Sequence, residues 1–467
     1  MIFRIVQKET ISMLRDGRYK WTAGLLVVLL SGALIAGWQH FEKIESQRSY
    51  AQQTDREMWV GQGEKNQHSA AHFGVYAFKP TSPLSALDQG VLQYTGVSVF
   101  MEAHSVQDAT YRPADDATAV QRLGNLTASL TLQVLLPLLI ILLTFGTFSG
   151  EREQGTLRQL LSLGVSRWVL TLGKGLGVTA PLLLMLIPAT LIGIAAVALS
   201  TNDGSVLWDG GRILMMVATY ILYFSIYIII SLLVSALAAS SRQALVILLG
   251  FWMFISFIGP RLVTDAADSK YPVPTASTFS AAIQEDMDAL PSWTKRTETV
   301  QVRLMEEHKV DSVAAIPASV AGHTLLEAER DETEVYRKHF EALGDVHHQQ
   351  EQFTQKAAFL SPVLAVQLAS MGFAGSDYLH HRHFAKAAET YRYDFVQTLN
   401  QDLVDAQASW DYEVGQEMWE KIPPFSYELP AVGEVLSHYV PSLVVLIVWN
   451  IALLLVAPVV IANMKIG

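Results

Sequence analysis

The chain has 467 residues, of which 51% are hydrophobic and 16% are charged, and its formal net charge is −11 at pH 7. A mean hydropathy of +0.27 argues against a soluble enzyme and favours a membrane protein. The chain has no cysteine, which excludes thiolate metal sites and cysteine nucleophiles and is compatible with a bacterial periplasm for its outer parts.

Six stretches of the chain are apolar and long enough to cross a bilayer, which takes about 20 residues of α-helix. They predict an all-α polytopic membrane protein with six transmembrane helices and a mainly helical extracytoplasmic domain built from two insertions. The first stretch is not a cleavable signal, because its amino-terminal flank is long and no small-residue cleavage site follows it. The predicted spans are residues 21–40, 128–149, 169–199, 212–238, 243–260 and 439–462.

The orientation in the membrane follows from the distribution of basic residues. The two termini, the loop after the second span and the loop between the fourth and fifth spans together hold eleven Lys and Arg but only four Asp and Glu. By the positive-inside rule these segments are cytoplasmic, so both termini are predicted to lie inside the cell. The opposite side then holds 22 basic and 40 acidic residues, which argues against nucleic acid as a partner, although solubility alone also explains such a surface.

The first twenty residues predict an amphipathic helix that lies on the cytoplasmic surface of the membrane. An ordinary positively charged flank of the first span is the alternative interpretation. The apolar face of this helix carries Phe3, Val6, Met13 and Leu14. The basic residues that lie largely off that face are Arg4, Lys8, Arg15 and Arg18.

Two long insertions, residues 41–127 and 261–438, are predicted to lie outside the membrane. The first is rich in Gly, Pro, Ser and aromatic residues and gives only a weak signal for short strands. In the second, apolar residues recur every three to four positions over Asp377–Lys421, which predicts a long helix capped by its first residue and stopped by Pro423. Another helix is predicted over Ala321–Gln355, and the two should pack antiparallel because so apolar a stripe needs a partner.

The most informative stretch follows the second span directly. Residues 150–168 are polar, lie between two apolar runs and are predicted to form a short cytoplasmic helix. Two spans joined in this way suit a protein that passes force from a soluble partner into a membrane. The residues of this segment that bear on function are Glu151, Arg152, Glu153, Gly155, Thr156, Leu157 and Arg158.

The order of these residues resembles the cytoplasmic signature of ABC type-2 transporter permeases. In that family an acidic, basic, acidic triplet is followed by Gly-Thr-Leu, a leucine-rich turn, Ser-Arg and a Lys at the start of the third span. Here the last two features are Ser166-Arg167 and Lys174. Lys8-Glu9 before the first span and the six-span layout agree with the resemblance.

The large insertions indicate a subgroup of these permeases with a large periplasmic insert. Members of that subgroup carry a Ser-Pro, a Gly-x-Asp and a late Pro-x-Phe in the insert. The matching positions are Ser361-Pro362, Gly375-Ser376-Asp377 and Pro423-Pro424-Phe425.

The resemblance implies the permease subunit of an ATP-driven exporter in a bacterial inner membrane, without an ATPase site of its own. Two copies of an ABC ATP-binding subunit would bind ATP and Mg²⁺, and a second copy of the permease or a sister permease would complete the complex. Gly173-Lys174-Gly175 lacks the earlier glycine and the hydroxyl residue of a nucleotide-binding loop, in agreement with this view. The amino-terminal residues implied at the interfacial helix are Arg4, Lys8, Glu9 and Arg15.

The chemistry of residues 150–168 suits docking into a cleft of a soluble ATPase. The two carboxylates offer acceptors and the arginines offer donors for charge-assisted hydrogen bonds. Gly155 allows a tight turn, and Leu157 begins an apolar face. An ordinary solvated loop is the alternative interpretation.

Other functions remain open from the sequence. The chain could transmit ATPase motion to a periplasmic partner without moving a substrate through its spans, or it could be a membrane-anchored sensor. The histidines at 347–348 and 380–383 could suggest a metal site, but Arg382 opposes cation binding and no carboxylate completes a ligand set. No metal ligand is therefore predicted.

Overall fold

The computed structural model describes residues 1–113, 127–200 and 206–465. The end of the first predicted insertion and part of the loop between the third and fourth spans therefore lie outside the described residues. Within the described ranges, six helices are long and apolar enough to cross a membrane, in agreement with the predicted all-α membrane protein. Spans 1 to 6 are Gly17–Val60, Ala128–Glu153, Arg167–Ile187, Gly210–Leu237, Ser241–Lys270 and Val432–Ala462.

The remaining elements lie at the two ends of the spans. The helices that contain spans 3 and 4 run from Arg167–Ser200 and Val206–Leu237. The α-helices outside the spans are Ile2–Arg15, Gln67–Phe73, Thr156–Ser162, Ala276–Asp288, Trp293–His308, Val320–Ala357, Pro362–Ala374, Tyr378–Asp405 and Gln416–Lys421. The strands are Val75–Phe78, Ser98–Glu102 and Ser105–Val106.

The amino-terminal helix, Ile2–Arg15, is shorter than the predicted helix over residues 1–20. Asp16 takes an extended conformation (φ −67°, ψ 129°), and its carboxylate accepts a hydrogen bond of 2.8 Å from the backbone N–H of Arg18. An aspartate in this position caps the start of span 1, so the chain turns there instead of continuing as one helix. The break between the interfacial helix and span 1 therefore lies at Asp16, four residues before the predicted end of the interfacial helix at residue 20.

The amino-terminal helix lies directly on span 3. A Cβ atom at Gly173 would lie 2.6 Å from the Cγ2 atom of Ile5, and one at Gly177 would lie 2.5 Å from the Cβ atom of Glu9. These two glycines therefore allow an approach that no larger residue would permit. The hydroxyl of Thr10 also donates to the backbone carbonyl of Gly177 at 3.1 Å.

Span 1 is longer than predicted. Its helix does not end near residue 40 but continues to Val60, which at 1.5 Å per residue makes a rod of about 66 Å. The polar residues after position 41 include no Gly or Pro, and the ion pair between Arg48 and Glu45 supports the helix one turn apart. At the outer end of the rod, Trp59 packs edge-on against Trp419 with a centroid distance of 5.6 Å.

Two long helices frame the outer domain, as predicted. Val320–Ala357 and Tyr378–Asp405 run antiparallel, because Gly322 lies against Val404 at one end and Gly344 lies against Arg382 at the other. The predicted extension of the second helix to residue 421 is wrong.

The second helix ends at Asp405, and Gln407 then adopts a left-handed conformation (φ 51°) that turns the chain. The separate short helix Gln416–Lys421 brings Trp419 back to the core of the outer domain.

A small antiparallel sheet completes the outer domain. Val75–Phe78 pairs with Ser98–Glu102, and that strand pairs with Ser105–Val106, with Met101 opposite both Val75 and Val106. The buried face of the sheet joins the same core as the helix Tyr378–Asp405. The weak strand signal of the first insertion was therefore real.

Span 5 does not stop at Pro260 as predicted but continues as a helix to Lys270. Pro260 lies in the first turn of the helix Gly259–Lys270, directly after the π-helical turn Phe254–Ile258. Inside a continuous helix proline removes one N–H donor, and the hydroxyl of Ser361 donates instead to the carbonyl of Ile255, five residues before Pro260, at 2.7 Å. The fifth span is thus longer than predicted and contains a π-helical turn.

The outer domain is bonded to the outer ends of the spans. The buried carboxylate of Asp88 accepts from Ser370 at 2.5 Å and from Gln133 in span 2 at 3.3 Å, while Tyr220 in span 4 lies 3.0 Å from Ser370. These polar groups are fully or almost fully buried, so their mutual hydrogen bonds compensate for lost hydration.

Asp377 caps the start of the helix Tyr378–Asp405, as predicted, by accepting from the backbone N–H of His380 at 3.0 Å. The same carboxylate accepts from the hydroxyl of Tyr439 in span 6. Arg212 in span 4 is fully buried, lies 3.2 Å from the Nε2 atom of His380 and donates to the carbonyl of Pro430 at 2.7 Å. The outer domain and two of the spans therefore share one buried polar network.

Candidate functional site

The segment of residues 150–168 forms two short helices, not the single helix that was predicted. Ser149–Glu153 continues span 2 at the end that faces the amino-terminal helix, and Thr156–Ser162 follows after a turn. Gly155 separates them in a left-handed conformation (φ 74°), which glycine adopts at little cost. A Cβ atom there would meet nothing within 4 Å, so the conformation and not the space requires glycine.

Four charged side chains meet where this segment touches span 3 and the amino-terminal helix. The ammonium group of Lys174 lies 2.9 Å from Glu9 and 2.8 Å from Glu151, and that of Lys8 lies 2.7 Å from Glu9 and 3.0 Å from Glu151. We call Lys8, Glu9, Glu151 and Lys174 the inner-face charge cluster. Its two carboxylates are each bridged by both lysines, so the cluster ties three elements of the protein together.

Burial makes this cluster more than a surface ion pair. The side chain of Lys174 is 1% exposed and those of Glu9 and Glu151 are 14% exposed, whereas that of Lys8 is 57% exposed. Burial alone would raise the pKa of Glu9, but the nearby Lys174 and Lys8 outweigh it and lower that pKa. Burial alone would lower the pKa of Lys8, but Glu9 and Glu151 raise it. Both groups are therefore charged at neutral pH.

Arg152 is directed at backbone carbonyls at the carboxyl ends of spans 4 and 6. Its guanidinium group donates to the carbonyls of Ala236 at 2.7 Å and Lys465 at 2.8 Å, and also to that of Ala238. The helix of span 4 ends at Leu237, where its last carbonyls have no partner within the helix. A cation is favoured at this negative end of the helix dipole.

Glu153 is directed at the beginning of span 5. Its carboxylate accepts from the backbone N–H of Ser241 at 2.8 Å and from the hydroxyl of the same residue at 2.9 Å. An anion is favoured at the amino terminus of a helix, where N–H groups lack partners. The acidic, basic, acidic order of the triplet therefore matches the three surfaces that it meets: a lysine of span 3, the end of span 4 and the start of span 5.

Arg167 extends the same arrangement to span 6. Its guanidinium group donates to the carbonyl of Ile461 at 3.3 Å and to that of Ala462, at the end of the span. Spans 3 to 6 are thus joined, at their ends on one side of the protein, through residues of one short segment.

The rest of the segment divides into a buried anchor and an exposed surface. Leu157 is fully buried, and the hydroxyl of Thr156 donates to the carbonyl of Glu151 at 3.2 Å. Leu163, by contrast, is 78% exposed although it is strongly apolar. We call the exposed surface the inner-face edge, and it consists of Arg158, Gln159, Ser162, Leu163 and Gly164.

The structure therefore separates the residues that were predicted to contact an ATPase. Glu151 and Arg152 are turned towards the spans, and Glu153, although exposed, is bonded to span 5. Arg158 lies on the inner-face edge, and Gly155 is exposed at the turn between the two helices. Contact of these residues with an ATPase remains a prediction.

The amino-terminal residues divide in a similar way. Arg4 and Arg15 are exposed, whereas Lys8 and Glu9 belong to the inner-face charge cluster. Phe3 is 75% exposed, but Met13, which was placed on the same apolar face, is buried against the protein. Part of the apolar face is therefore used for packing on the spans.

Sequence reasoning did not anticipate the role of Lys174. It was noted as one position of the family pattern, and its bonds to Glu9 and Glu151 went unrecognised. The signal was present, because a lone lysine within an apolar span is costly and calls for an acidic partner. The hydrogen bonds of Arg167 to the end of span 6 could not be predicted from the sequence, since its partners are backbone carbonyls, which every residue has.

The histidine-rich stretch 380–383 is occupied with structural contacts. His380 is fully buried and its Nδ1 atom bonds to Asp377. Arg382 pairs with Asp345 at 2.9 Å, and His383 lies 2.9 Å from the hydroxyl of Tyr427.

Comparison with known families adds to this description. Residues 89–284 match the model of a family described as ABC-2 family transporter protein, and this range covers spans 2 to 5 and the whole segment between spans 2 and 3. Residues 276–428 match a domain of unknown function, DUF3526, which covers most of the second insertion. No curated protein matches the sequence.

Proposed function

This chain is an ABC-2 type permease, the membrane subunit of an ABC transporter, and we propose that it couples ATP hydrolysis to export across the bacterial inner membrane. A separate ATP-binding subunit, present in two copies, holds ATP and Mg²⁺. A second copy of this chain or a sister permease forms the other half of the translocation path. The chain itself has no ATPase site.

One observation carries the proposal: residues of the single segment 150–168 bond to four spans at their ends on the same side of the protein. Glu151 holds span 3, Arg152 holds the end of span 4, and Glu153 holds the start of span 5. Arg167 holds the end of span 6. An ordinary solvated loop would not need a charged partner for each helix end.

The ATP-binding subunit docks on the inner-face edge. This surface combines the guanidinium group of Arg158 with the exposed side chain of Leu163, so it offers both a charged and an apolar contact. Because Leu157 is buried beside it, the short helix that carries the edge cannot move without the residues beneath it. Closure of the ATP-binding subunits therefore displaces the edge, and the triplet passes this displacement to the spans.

The amino-terminal helix moves together with span 3. Its contacts at Gly173 and Gly177 are too close for independent sliding, and the inner-face charge cluster bonds it to Lys174. The cluster thereby includes the first element of the chain in the same moving unit. Both termini lie in the cytoplasm in this arrangement.

Single-cysteine variants test the proposal, because the natural chain has no cysteine. Leu163→Cys carrying a photoreactive maleimide should crosslink to an ATP-binding subunit in membranes of the native host. Val302→Cys, at an outer-domain residue that is 51% exposed, is the matched control and should not. If affinity-purified protein brings down no ATP-binding subunit and Leu163→Cys forms no crosslink, the proposed coupling is wrong.

The same two variants test the orientation. A membrane-impermeant maleimide should label Val302→Cys in spheroplasts, and it should label Leu163→Cys only after the inner membrane is opened. Labelling of Leu163→Cys from outside would invert the topology and remove the basis of the proposal.

A second candidate function is transmission of ATPase motion to a periplasmic partner without export. The observation that favours it is the continuous helix Gly17–Val60, which begins beside the amino-terminal helix and ends in the core of the outer domain. A rod of about 66 Å can move the outer domain directly. Inverted vesicles distinguish the two functions: ATP-dependent accumulation of cargo supports export, whereas ATP hydrolysis that depends on a periplasmic protein, without accumulation, supports transmission.

A further inference from the structure

Three histidines from separate parts of the first insertion converge on one point of the outer domain. His68 and His72 lie one turn apart on the helix Gln67–Phe73, and His104 lies in the turn between the strands Ser98–Glu102 and Ser105–Val106. Each offers a ring nitrogen, and the three nitrogens lie within 4.8 Å of one another. The sequence gives little sign of this, because 32 positions separate the second histidine from the third.

The spacing of the ring nitrogens fits a metal ion. The Nε2 atoms of His68 and His72 are 3.2 Å apart. A tetrahedral Zn²⁺ ion with Zn–N distances of about 2.0–2.1 Å holds two ligand nitrogens about 3.3 Å from each other. A hydrogen bond between the two rings would explain this pair, but it would not explain why the third ring is drawn to the same place.

The surroundings of His104 are those of a metal-binding histidine. Its Nδ1 atom lies 2.6 Å from Glu332 and 3.5 Å from Glu329. A carboxylate that accepts from one ring nitrogen fixes the tautomer and leaves Nε2 as the ligand atom. The backbone N–H of His104 also donates to Glu329 at 3.0 Å, which holds this residue in a left-handed conformation (φ 60°) that few non-glycine residues adopt.

The two glutamates belong to the second insertion, whereas the three histidines belong to the first. Both lie on the helix Val320–Ala357, and Glu329 is held in turn by Arg392. An ion bound by the histidines would therefore fasten the two insertions to each other through His104.

We propose that His68, His72 and His104 bind one Zn²⁺ ion on the outer domain, with Glu332 and Glu329 orienting His104. Imidazole ligands without thiolates suit Zn²⁺ among the late first-row divalent cations. With three protein ligands and an exposed His72, the fourth position is open to water or to a ligand from a partner. The site is independent of the coupling segment at the opposite face.

A separate cluster of possible ligands, His348 with Glu351 and His438, is explained without a metal ion. His438 and Glu351 already form a direct pair at 2.8 Å. His68 and His72 differ from that pair, because each directs its Nε2 atom at the other histidine and not at a carboxylate.

Isothermal titration of the full-length protein in lipid nanodiscs, stripped with EDTA and titrated with ZnCl₂, tests the proposal. The expected result is one Zn²⁺ per chain, confirmed by elemental analysis after gel filtration, with a thermal midpoint that rises on addition of Zn²⁺. His72→Gln should abolish both the bound ion and the thermal shift. The side chain of His72 is exposed, so the His72→Gln variant should fold.

Glu332→Gln should retain binding with an affinity lowered by about 10- to 100-fold, since it only orients a ligand. His308→Gln, at another exposed histidine of the outer domain, is the control and should bind Zn²⁺ like the natural protein. A binding stoichiometry below 0.1 in the natural protein, or equal binding by His72→Gln, would overturn the proposal.

Discussion

Two of the buried charge clusters in the described part of the chain lie at opposite ends of the protein, and they are built differently. The inner-face charge cluster uses two lysines between three separate elements. The cluster of the outer domain uses one arginine: Arg392 pairs with Glu389 at 2.7 Å and with Glu329 at 2.5 Å, and it donates to Thr333 at 2.7 Å. We call Arg392, Glu389, Glu329 and Thr333 the outer charge cluster.

The difference follows from the chemistry of the two cations. A guanidinium group is planar and presents its donors in a fixed fork, so it holds its partners in one geometry. An ammonium group is a compact charge on a flexible stem and keeps its attraction while partners shift. The outer charge cluster therefore suits a rigid frame, and the inner-face charge cluster suits elements that stay attracted to one another while they move together as one unit.

The largest expected effect is a loss of stability when the guanidinium group of Arg392 is removed. Arg392→Ala leaves Glu329, whose side chain is 1% exposed, without its cation in the core of the outer domain. Breaking a buried pair in this way typically destabilises a protein by about 3–5 kcal/mol. The thermal midpoint, followed by intrinsic fluorescence, should fall strongly.

Arg303→Ala is the matched control for this variant. Arg303 pairs with Glu327, which lies on the same long helix as Glu329. Because the side chain of Arg303 is 50% exposed, its removal should lower the stability by at most about 1 kcal/mol. Equal losses in the two variants would show that the outer charge cluster is not the fixed element described here.

The next largest effect is expected at the inner face. Lys174→Met removes the buried ammonium group from between Glu9 and Glu151, and leaving such charged groups poorly paired costs about 1–3 kcal/mol. The ATPase rate of the assembled complex should also fall towards that of the ATP-binding subunit alone. Lys8→Met is the control, because the side chain of Lys8 is 57% exposed and its pairs are screened by water.

A double variant separates charge from packing in this cluster. Adding Glu151→Gln to Lys174→Met removes one of the two carboxylates that now repel each other, so part of the lost stability should return. If the double variant is as unstable as the sum of the two single variants, the ammonium group acts only by filling space.

The pH dependence of the inner-face charge cluster has a defined sign. The lysines lower the pKa of Glu9 in the folded protein, so its contribution to stability is fully present above the unfolded pKa of about 4.3. The contribution is lost as the pH falls through the lower, folded pKa. The difference in thermal midpoint between the natural protein and Glu9→Gln should thus stay constant from about pH 8 to about pH 6 and shrink below about pH 4.

Glu417→Gln, at an exposed carboxylate of the outer domain, is the control for the pH series and should change the midpoint little at any pH. A Glu9→Gln difference that persists unchanged at the lowest pH would contradict the assignment of Glu9 to this cluster.

Sequence patterns predicted the parts of the molecule that depend on local composition. Long apolar windows gave the six spans, and Asp377 followed by an apolar stripe gave the capped helix of the outer domain. The boundaries were less predictable. The helix of span 1 continues beyond the apolar run because its polar residues are good helix formers, and a hydropathy pattern cannot distinguish such a helix from a loop.

The candidate sites depended on contacts between distant positions, and these were predicted only in part. The triplet at 151–153 was recognised as functional, but its partners on spans 3, 4 and 5 become visible only when the helices are packed. The convergence of His68, His72 and His104 likewise requires the fold of the sheet. Local patterns specify elements, whereas the pairing of charges across elements is a property of the tertiary structure.

The smallest expected effect concerns Gly155, the turn that connects the triplet at 151–153 with the inner-face edge. Gly155→Ala places a Cβ atom in open space, so the cost comes only from the left-handed conformation and should be about 1–2 kcal/mol. Gly24→Ala in span 1 is the control: a Cβ atom there also meets nothing within 4 Å, but the residue is helical, so alanine should be neutral or stabilising.

The backbone strain in Gly155→Ala falls on the turn between the two short helices and not on either charge cluster. The variant should therefore lower the ATPase rate of the assembled complex more than Gly24→Ala does, and the outer domain should keep its fold. Chemical crosslinking from Leu163→Cys in the Gly155→Ala background measures whether the edge still meets the ATP-binding subunit. Normal crosslinking with a lowered ATPase rate would place the defect in the passage of motion from the edge to the triplet. An unchanged rate would show that the left-handed turn is not required for coupling.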